Sequence, residues 1–260
     1  MSSFFNLFRK KKVPLACMMS MDEDHHHTDG HLADTTSEET SACFVEIMPL
    51  SVVELFQSQG CKSCPPALPA IQAATNNPNL LLLTFDVTYW NPSSGWTDTF
   101  GNTQFDSRQK QYATKMGKKG LFTPQIIVDG NSESLGATQD QINETIMKAM
   151  QFRNSMTWAL GIDLVGNELR LAADMPEADM IYDVIIVKYD PALQTIKPDK
   201  GPNKRVKIPH RNVVKELMKV GEWAGGITSI QLPPFKRDGL EKVAFVQGGL
   251  GGPIIAALKL

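Results

Sequence analysis

Cys61 and Cys64 are separated only by Lys62 and Ser63, the spacing of a dithiol that can cycle to a disulfide. In disulfide exchange the thiolate is the nucleophile, so its population, set by its pKa, controls the chemistry. The next run, with Pro65 and Pro66 near its start, reads as the opening of a helix. Its free N–H groups and dipole favour negative charge on the first cysteine. Lys62 adds a further positive charge. Cys61, nearer the preceding turn, is expected to attack a substrate disulfide. Cys64, set into the first helical turn, is expected to resolve the mixed disulfide. Two other uses of the pair stay open. Half of a zinc site would need two more Cys or His ligands at suitable spacing, and Cys17 and Cys43, the remaining cysteines, are 26 apart, the former in the leader. Alternatively both thiols simply pack.

The elements that must position this pair can be read on either side of it. Residues 52–56 form a β-rich run ended by Gln57-Ser58-Gln59-Gly60, and residues 61–74 form a helix with its prolines in the first turn, where a missing N–H costs nothing. Residues 80–87 are a continuous apolar strand of the kind buried on both faces. Residues 103–117 suit an inserted helix. Ile126-Ile127-Val128 is a third strand, followed by the hairpin signal Asp129-Gly130, a short strand over 134–137 and an amphipathic helix over 139–152. The order β-α-β, helix, β-β-α predicts an α/β unit with a right-handed crossover. In it, Thr123-Pro124 opens the third strand. The Pro124 bond is expected to be cis, with the Thr123 backbone opposite the cysteines and free to pair with an extended substrate. After Asn154 the texture turns to β, with strands over 158–165 and 168–173 around Gly166-Asn167, then 181–189, 242–247 and 254–258; residues 210–220 read as a helix. The expected organisation is a tail (1–43), an α/β domain (44–153) and a small β-rich domain (154–260).

Composition narrows the function classes. Among 260 residues, 26 Lys and Arg face 28 Asp and Glu, which excludes the basic footprint of a general nucleic-acid binder. No apolar run approaches the roughly 18 residues of a membrane-spanning helix. Four cysteines are too few for a disulfide-stapled scaffold. Arg9, Lys10, Lys11 and Lys12 form a basic block, and residues 20–42 carry seven acids and no Lys or Arg. The Phe4-Phe5 segment lies ahead of its charges, the reverse of a secretory signal, so a cytoplasmic protein with a disordered leader is expected. His25, His26, His27 and His31 sit in that acidic block; His210 is the only histidine beyond it and is expected to be structural.

The run Val53-Glu54-Leu55-Phe56-Gln57-Ser58-Gln59-Gly60-Cys61-Lys62-Ser63-Cys64-Pro65-Pro66 resembles the opening motif of the DUF1223 family. Asp86-Val87-Thr88-Tyr89-Trp90, Gly95-Trp96-Thr97-Asp98, Phe105-Asp106-Ser107-Arg108-Gln109, Thr123-Pro124-Gln125 and His210 to Leu217 with Gly221-Glu222-Trp223 are similar too, so the resemblance spans about residues 45–258. It implies a thioredoxin-like fold with a helical insertion, fused to a β-rich C-terminal part, and a thiol site. Ala67-Leu68 departs from the acid often found after the two prolines. Thioredoxins keep a buried acid six residues before the first cysteine, where this chain has Leu55; Glu54 could manage the proton if the register shifts, or else pairs structurally. Trp90 and Trp96, with Tyr89, Phe100 and Phe105, form an aromatic cluster that either walls a substrate groove or packs in the core, and Arg108 suits either role. Gly248 to Pro253 fits a hairpin connection, since the run from Ile254 to Leu258 is too short for the helix a phosphate loop requires.

The expected function is therefore a thiol–disulfide oxidoreductase acting on a protein or small-molecule disulfide or thiol, with no cofactor and no resident metal. A non-catalytic binding module or a soft-metal carrier using the same thiols are the alternatives. Reductase, oxidase and isomerase share this constellation and differ in potential.

Overall fold

In the computed structural model residues 49–173 and 180–260 are described; the leader, its histidines, Cys17 and Cys43 lie outside them. The first elements are β1 (Ser51–Gln57), α1 (Cys64–Ala74), β2 (Leu80–Asp86), α2 (Asn91–Ser94), α3 (Thr103–Lys115), β3 (Gln125–Val128), β4 (Ser132–Ser134) and α4 (Gln139–Ser155). Then come β5 (Leu160–Val165), β6 (Glu168–Ala173), β7 (Tyr182–Asp190), β8 (Gln194–Ile196), β9 (Ile208–His210), β10 (Val213–Trp223), β11 (Ile227–Gln231), β12 (Glu241–Gln247) and β13 (Ile254–Lys259). The result is a mixed α/β architecture built on one large mixed sheet with few helices.

That sheet has eight strands in the order β13-β12-β7-β10-β2-β1-β3-β4. β1 runs parallel to β2 and antiparallel to β3, so α1 is the crossover between the two parallel strands. Strands from both sides of residue 153 share the sheet, joined where Val213 of β10 meets Thr84 of β2. Pro49–Leu260 is one compact unit.

Strand alternation divides the core. Val53 and Leu55 face α1 and α4, meeting Leu68, Ile71 and Ile142. Val52 and Phe56 face α3, meeting Phe85, Phe105 and Tyr112 together with Tyr189 and Phe245 from the later strands. The Phe56 and Phe85 rings stack at 5.2 Å, and Phe105 meets Phe85 edge-on at 5.2 Å. A third cluster around Trp223, Tyr182 and Leu171 includes residues of both the large sheet and the three-stranded sheet β11-β6-β5. Asn102 and Thr138 cap α3 and α4 through their side-chain oxygens, as residues of these types do at helix starts. Asp129-Gly130 turns β3 into β4 and Gly166-Asn167 turns β5 into β6, both as the dipeptides predict.

Two expectations are corrected. Residues 210–220, read as a helix, take in the last residue of β9 and most of β10, which pairs with β7 along its length. The register shifts between Val214 and Glu216 and again between Lys219 and Gly221. The first shift puts Val214 and Leu217 on one face, while Met218 packs on the other, so apolar residues on both buried faces of a strand imitate the helical spacing of Val213, Val214, Leu217 and Met218. The other correction is at the cysteines, where α1 begins at Cys64 rather than Cys61. The residues before it form a turn in which the Cys64 N–H donates to the Cys61 carbonyl at 3.3 Å.

A candidate dithiol site at the end of the first strand

Cys61 and Cys64 are both buried and both free. They lie where β1 passes into α1, and the Thr123–Pro124 peptide, which is cis as expected, lies across from them. The Cys61 thiol donates to the Thr123 carbonyl at 3.3 Å. The Trp90 indole N–H donates to Thr123 Oγ1 at 2.8 Å, which leaves the Thr123 hydroxyl proton free to point at the Cys61 sulfur.

The two thiols are electrostatically unlike. Cys61 is pulled down from 9.0 to about 6. The largest cause is the hydrogen bond from the Cys64 thiol; burial opposes it, and the Thr123 hydroxyl and the N–H groups of Ser63 and Cys64 assist. Cys64 is pushed well up, first by burial and then by the hydrogen bond and charge of Cys61. One sulfur is thus ready as a thiolate near neutral pH, while its neighbour holds the proton.

Cys61, Lys62, Trp90, Phe122, Thr123 and Pro202 are among the residues around a groove of about 570 Å³. Lys62 is exposed. Of the residues expected at the site, Cys61, Cys64, Thr123, Pro124 and Trp90 come together. Trp96 supports the site from behind, its indole N–H donating to Gln59 Oε1 at 2.9 Å. Glu54 does not join them. Alternation along β1 turns its fully buried carboxylate toward α3, where Arg108 Nε donates to it at 2.7 Å and Arg108 Nη2 at 3.1 Å. The Tyr112 hydroxyl donates to Glu54 as well, and Gln247 accepts from Arg108. This is a satisfied ion pair that ties β1, α3 and β12 together.

Several supporting residues carry no local signal. Asn203, buried in the loop between β8 and β9, donates to the carbonyls of Gln59 at 2.9 Å and Cys61 at 2.7 Å. Its partners lie more than 140 positions away, beyond the reach of any spacing argument. Asp98 accepts from the Gln59 N–H at 2.6 Å and the Ser58 hydroxyl at 3.0 Å. Burial, then the nearby Asp86 carboxylate, pushes Asp98 up to about 7. The buried His210 places Nε2 3.1 Å from Asp86 Oδ1 and Nδ1 3.0 Å from the Ile208 carbonyl. Burial opposes charge on the His210 ring, but Asp86 raises its pKa through charge and hydrogen bonding. The Tyr89 hydroxyl is buried with no hydrogen-bond partner among the described residues; burial first, with both thiols adding, raises its pKa. Gly60 fits beneath α2 because it has no side chain, since a Cβ there would stand 2.7 Å from Ser94 Oγ.

The family model for DUF1223, described as a protein of unknown function, matches residues 52–247. That span holds the cysteine loop, Thr123-Pro124, Asn203 and the Glu54–Arg108–Gln247 network. The chain belongs to the DUF1223 family. Its fold is similar to the crystal structure of protein AGR_C_4864 from Agrobacterium tumefaciens, with 27% identity and a TM-score of 0.65, covering 83% of this chain and 96% of that one. HBP35 of Porphyromonas gingivalis is similar at 15% identity and a TM-score of 0.54, over 83% of this chain and 76% of the other, a likeness of fold alone. No curated protein matches this DUF1223 chain. Among its described residues no helix is long and apolar enough to cross a membrane, and no three His, Cys, Asp or Glu side chains cluster as a metal site would need.

Proposed function

We propose that this protein exchanges thiols and disulfides through Cys61 and Cys64 on a thioredoxin-like fold, with α2 and α3 as its helical insertion. The observation that carries this reading is the asymmetry of the pair: Cys61 held down to about 6 beside an open groove, and Cys64 buried and pushed up. The Cys61 thiolate attacks one sulfur of a substrate disulfide, the S–S bond breaks, and the other sulfur leaves as a thiolate. The Cys64 thiol then gives up its proton, which the leaving thiolate takes. Its sulfur attacks Cys61 Sγ, breaks the mixed disulfide and releases the second substrate sulfur as a thiolate, which takes a proton from solvent. Two electrons pass from the protein dithiol to the substrate, and run in reverse the same steps oxidise a dithiol. Thr123 acts through its hydroxyl on the attacking sulfur, with Trp90 orienting that hydroxyl. Glu54 takes no part in this scheme.

The test is an equilibration of the full chain across a glutathione series, with mass spectrometry to quantify the Cys61–Cys64 disulfide and Cys61→Ser as the control. Alkylation of Cys61 measured against pH is expected to rise with a midpoint near 6. A pair that never oxidises, or a Cys61 that alkylates no faster than a free thiol, removes the reading.

A further inference from the structure

The loop between β8 and β9, residues 197–207, is closed at its base by the pairing of Gln194 with His210 and Ile196 with Ile208. Its tip is seated on the cysteine turn. Asn203 holds the Gln59 and Cys61 carbonyls, and Pro202 lines the groove. Gly201, with φ +75, lies so close to α2 that a Cβ would stand 2.8 Å from the Ser94 carbonyl oxygen. The loop is held from within by Lys204 N–H to the Gly201 carbonyl at 3.2 Å and Arg205 N–H to the Pro198 carbonyl at 2.8 Å. It is a built part of the site's rim.

Its charge is one-sided. Lys197, Lys200, Lys204, Arg205 and Lys207 face only Asp199 within the loop, and Lys200, Lys204 and Arg205 are exposed. None of these cations makes an ion pair among the described residues. Lys62, exposed between the cysteines, and the exposed Lys119, two residues before Leu121 at the groove, carry the same sign. Beyond the exposed Asp199, the acids nearby are engaged or buried: Glu133 pairs with Lys118 at 2.7 Å, and Asp98 lies beneath the cysteine turn. The chain as a whole carries a formal charge of −2, so this basic rim is a local feature placed beside the reactive sulfur.

Resting on the exchange reading above, we infer that the substrate is a disulfide-bearing polypeptide segment whose cysteine is flanked by Asp and Glu. Its carboxylates meet the basic rim from Lys62 and from the 197–207 loop, while its backbone lies along Trp90, Phe122 and Thr123. Exposed like-signed groups around a cleft raise the encounter rate of an opposite charge by about 10- to 1000-fold at low salt, and added salt screens the effect.

The test uses the reduced full chain and three peptides of equal length, each with one internal disulfide flanked by Asp/Glu, Ser or Lys. Single-turnover thiol release is measured at low and at high salt. The acidic peptide is expected to react at least about tenfold faster than the basic one at low salt, with the gap closing at high salt. A Lys200→Glu/Lys204→Glu double variant is expected to shrink the gap between acidic and basic peptides at low salt, with the neutral peptide as the internal reference; an unchanged gap overturns the inference. Equal rates for all three peptides overturn the inference while leaving thiol exchange intact. So does oxidised glutathione reacting as fast as the acidic peptide, which would assign the charge to a small substrate. A second arm separates recognition from redox chemistry: Cys61→Ser protein is titrated with fluorescently labelled acidic and basic peptides whose cysteines are replaced by serine. Salt-sensitive preference for the acidic peptide supports recognition of an acidic segment at this rim, and its presence without any exchange would overturn the exchange reading rather than the charge preference. Indifference to charge there sinks it.

Discussion

Glu54 and Asp98 are both buried carboxylates, yet they serve opposite ends. Glu54 sits seven positions before Cys61 in the chain, and its charge is matched by a guanidinium donating through two nitrogens and by a phenol. Asp98 is far from Cys61 in sequence, makes no ion pair among the described residues, faces Asp86 and is pushed up to about 7. It nevertheless holds the turn that carries the thiol. A buried acid close in sequence to a reactive cysteine is here a structural strut. The acids that shape the site come from the end of β2 and the loop beyond α2.

The comparison breaks most visibly at Arg108. Arg108→Ala strands the Glu54 charge inside the core and is expected to cost about 3–5 kcal/mol of stability in denaturant unfolding, while the Cys61 titration midpoint of the folded protein stays put. A shifted midpoint would mean that Glu54 does reach the thiol chemistry. Next is Asn203→Ala, which takes the side-chain donor from the buried Gln59 carbonyl and leaves the Cys61 carbonyl only the Cys64 N–H; it should cost about 1–3 kcal/mol. Its larger mark is on chemistry, because the turn loosens around Cys61: the alkylation midpoint is expected to climb from about 6 toward the free-thiol range.

The pH dependence of unfolding sharpens the contrast further. Asp98 has a folded pKa above its ordinary value of 3.8, so between roughly pH 4 and 7 the folded state binds a proton that the unfolded chain has released. Its contribution to stability is therefore present at low pH and is lost as pH rises through about 7. The raised His210 slopes the same way, whereas the lowered Cys61 adds stability to the reduced protein as pH rises from about 6. In a Cys61→Ser background, Asp98→Asn is expected to flatten the decline between pH 4 and 7 in thermal unfolding; His210, whose raised pKa acts only above its ordinary 6.5, does not produce a decline over that range, so an unchanged slope would mean that Asp98 is not held protonated in the fold. The smallest effect belongs to Tyr89. Removing its partnerless hydroxyl by Tyr89→Phe should change stability by less than about 1 kcal/mol, neutral or stabilising, read from the denaturation midpoint.

Much of the site was legible in the sequence because its parts are local. The cysteine spacing, the prolines after Cys64 and the Thr123-Pro124 dipeptide each act within a few residues, and the structure sets Cys61, Cys64, Thr123, Pro124 and Trp90 side by side. Misreadings arose where a local pattern had a second cause. One register shift in β10 and burial on both of its faces reproduce helical spacing, and a turn before Cys64 moves the helix start along the chain.

Residue order alone determined the dithiol, the strand–helix–strand frame around it and the turns at Asp129-Gly130 and Gly166-Asn167, since these come from spacing, backbone φ preferences and alternation over short stretches. Tertiary structure decided the rest: which side of β1 receives α3 and takes Glu54 to Arg108, that β10 docks on β2 at Thr84, and that Asn203 closes on the Cys61 carbonyl. Those contacts join residues far apart in sequence. Their partners become neighbours only when two faces of a sheet are covered and its strands settle into register, and no short-range preference encodes that outcome.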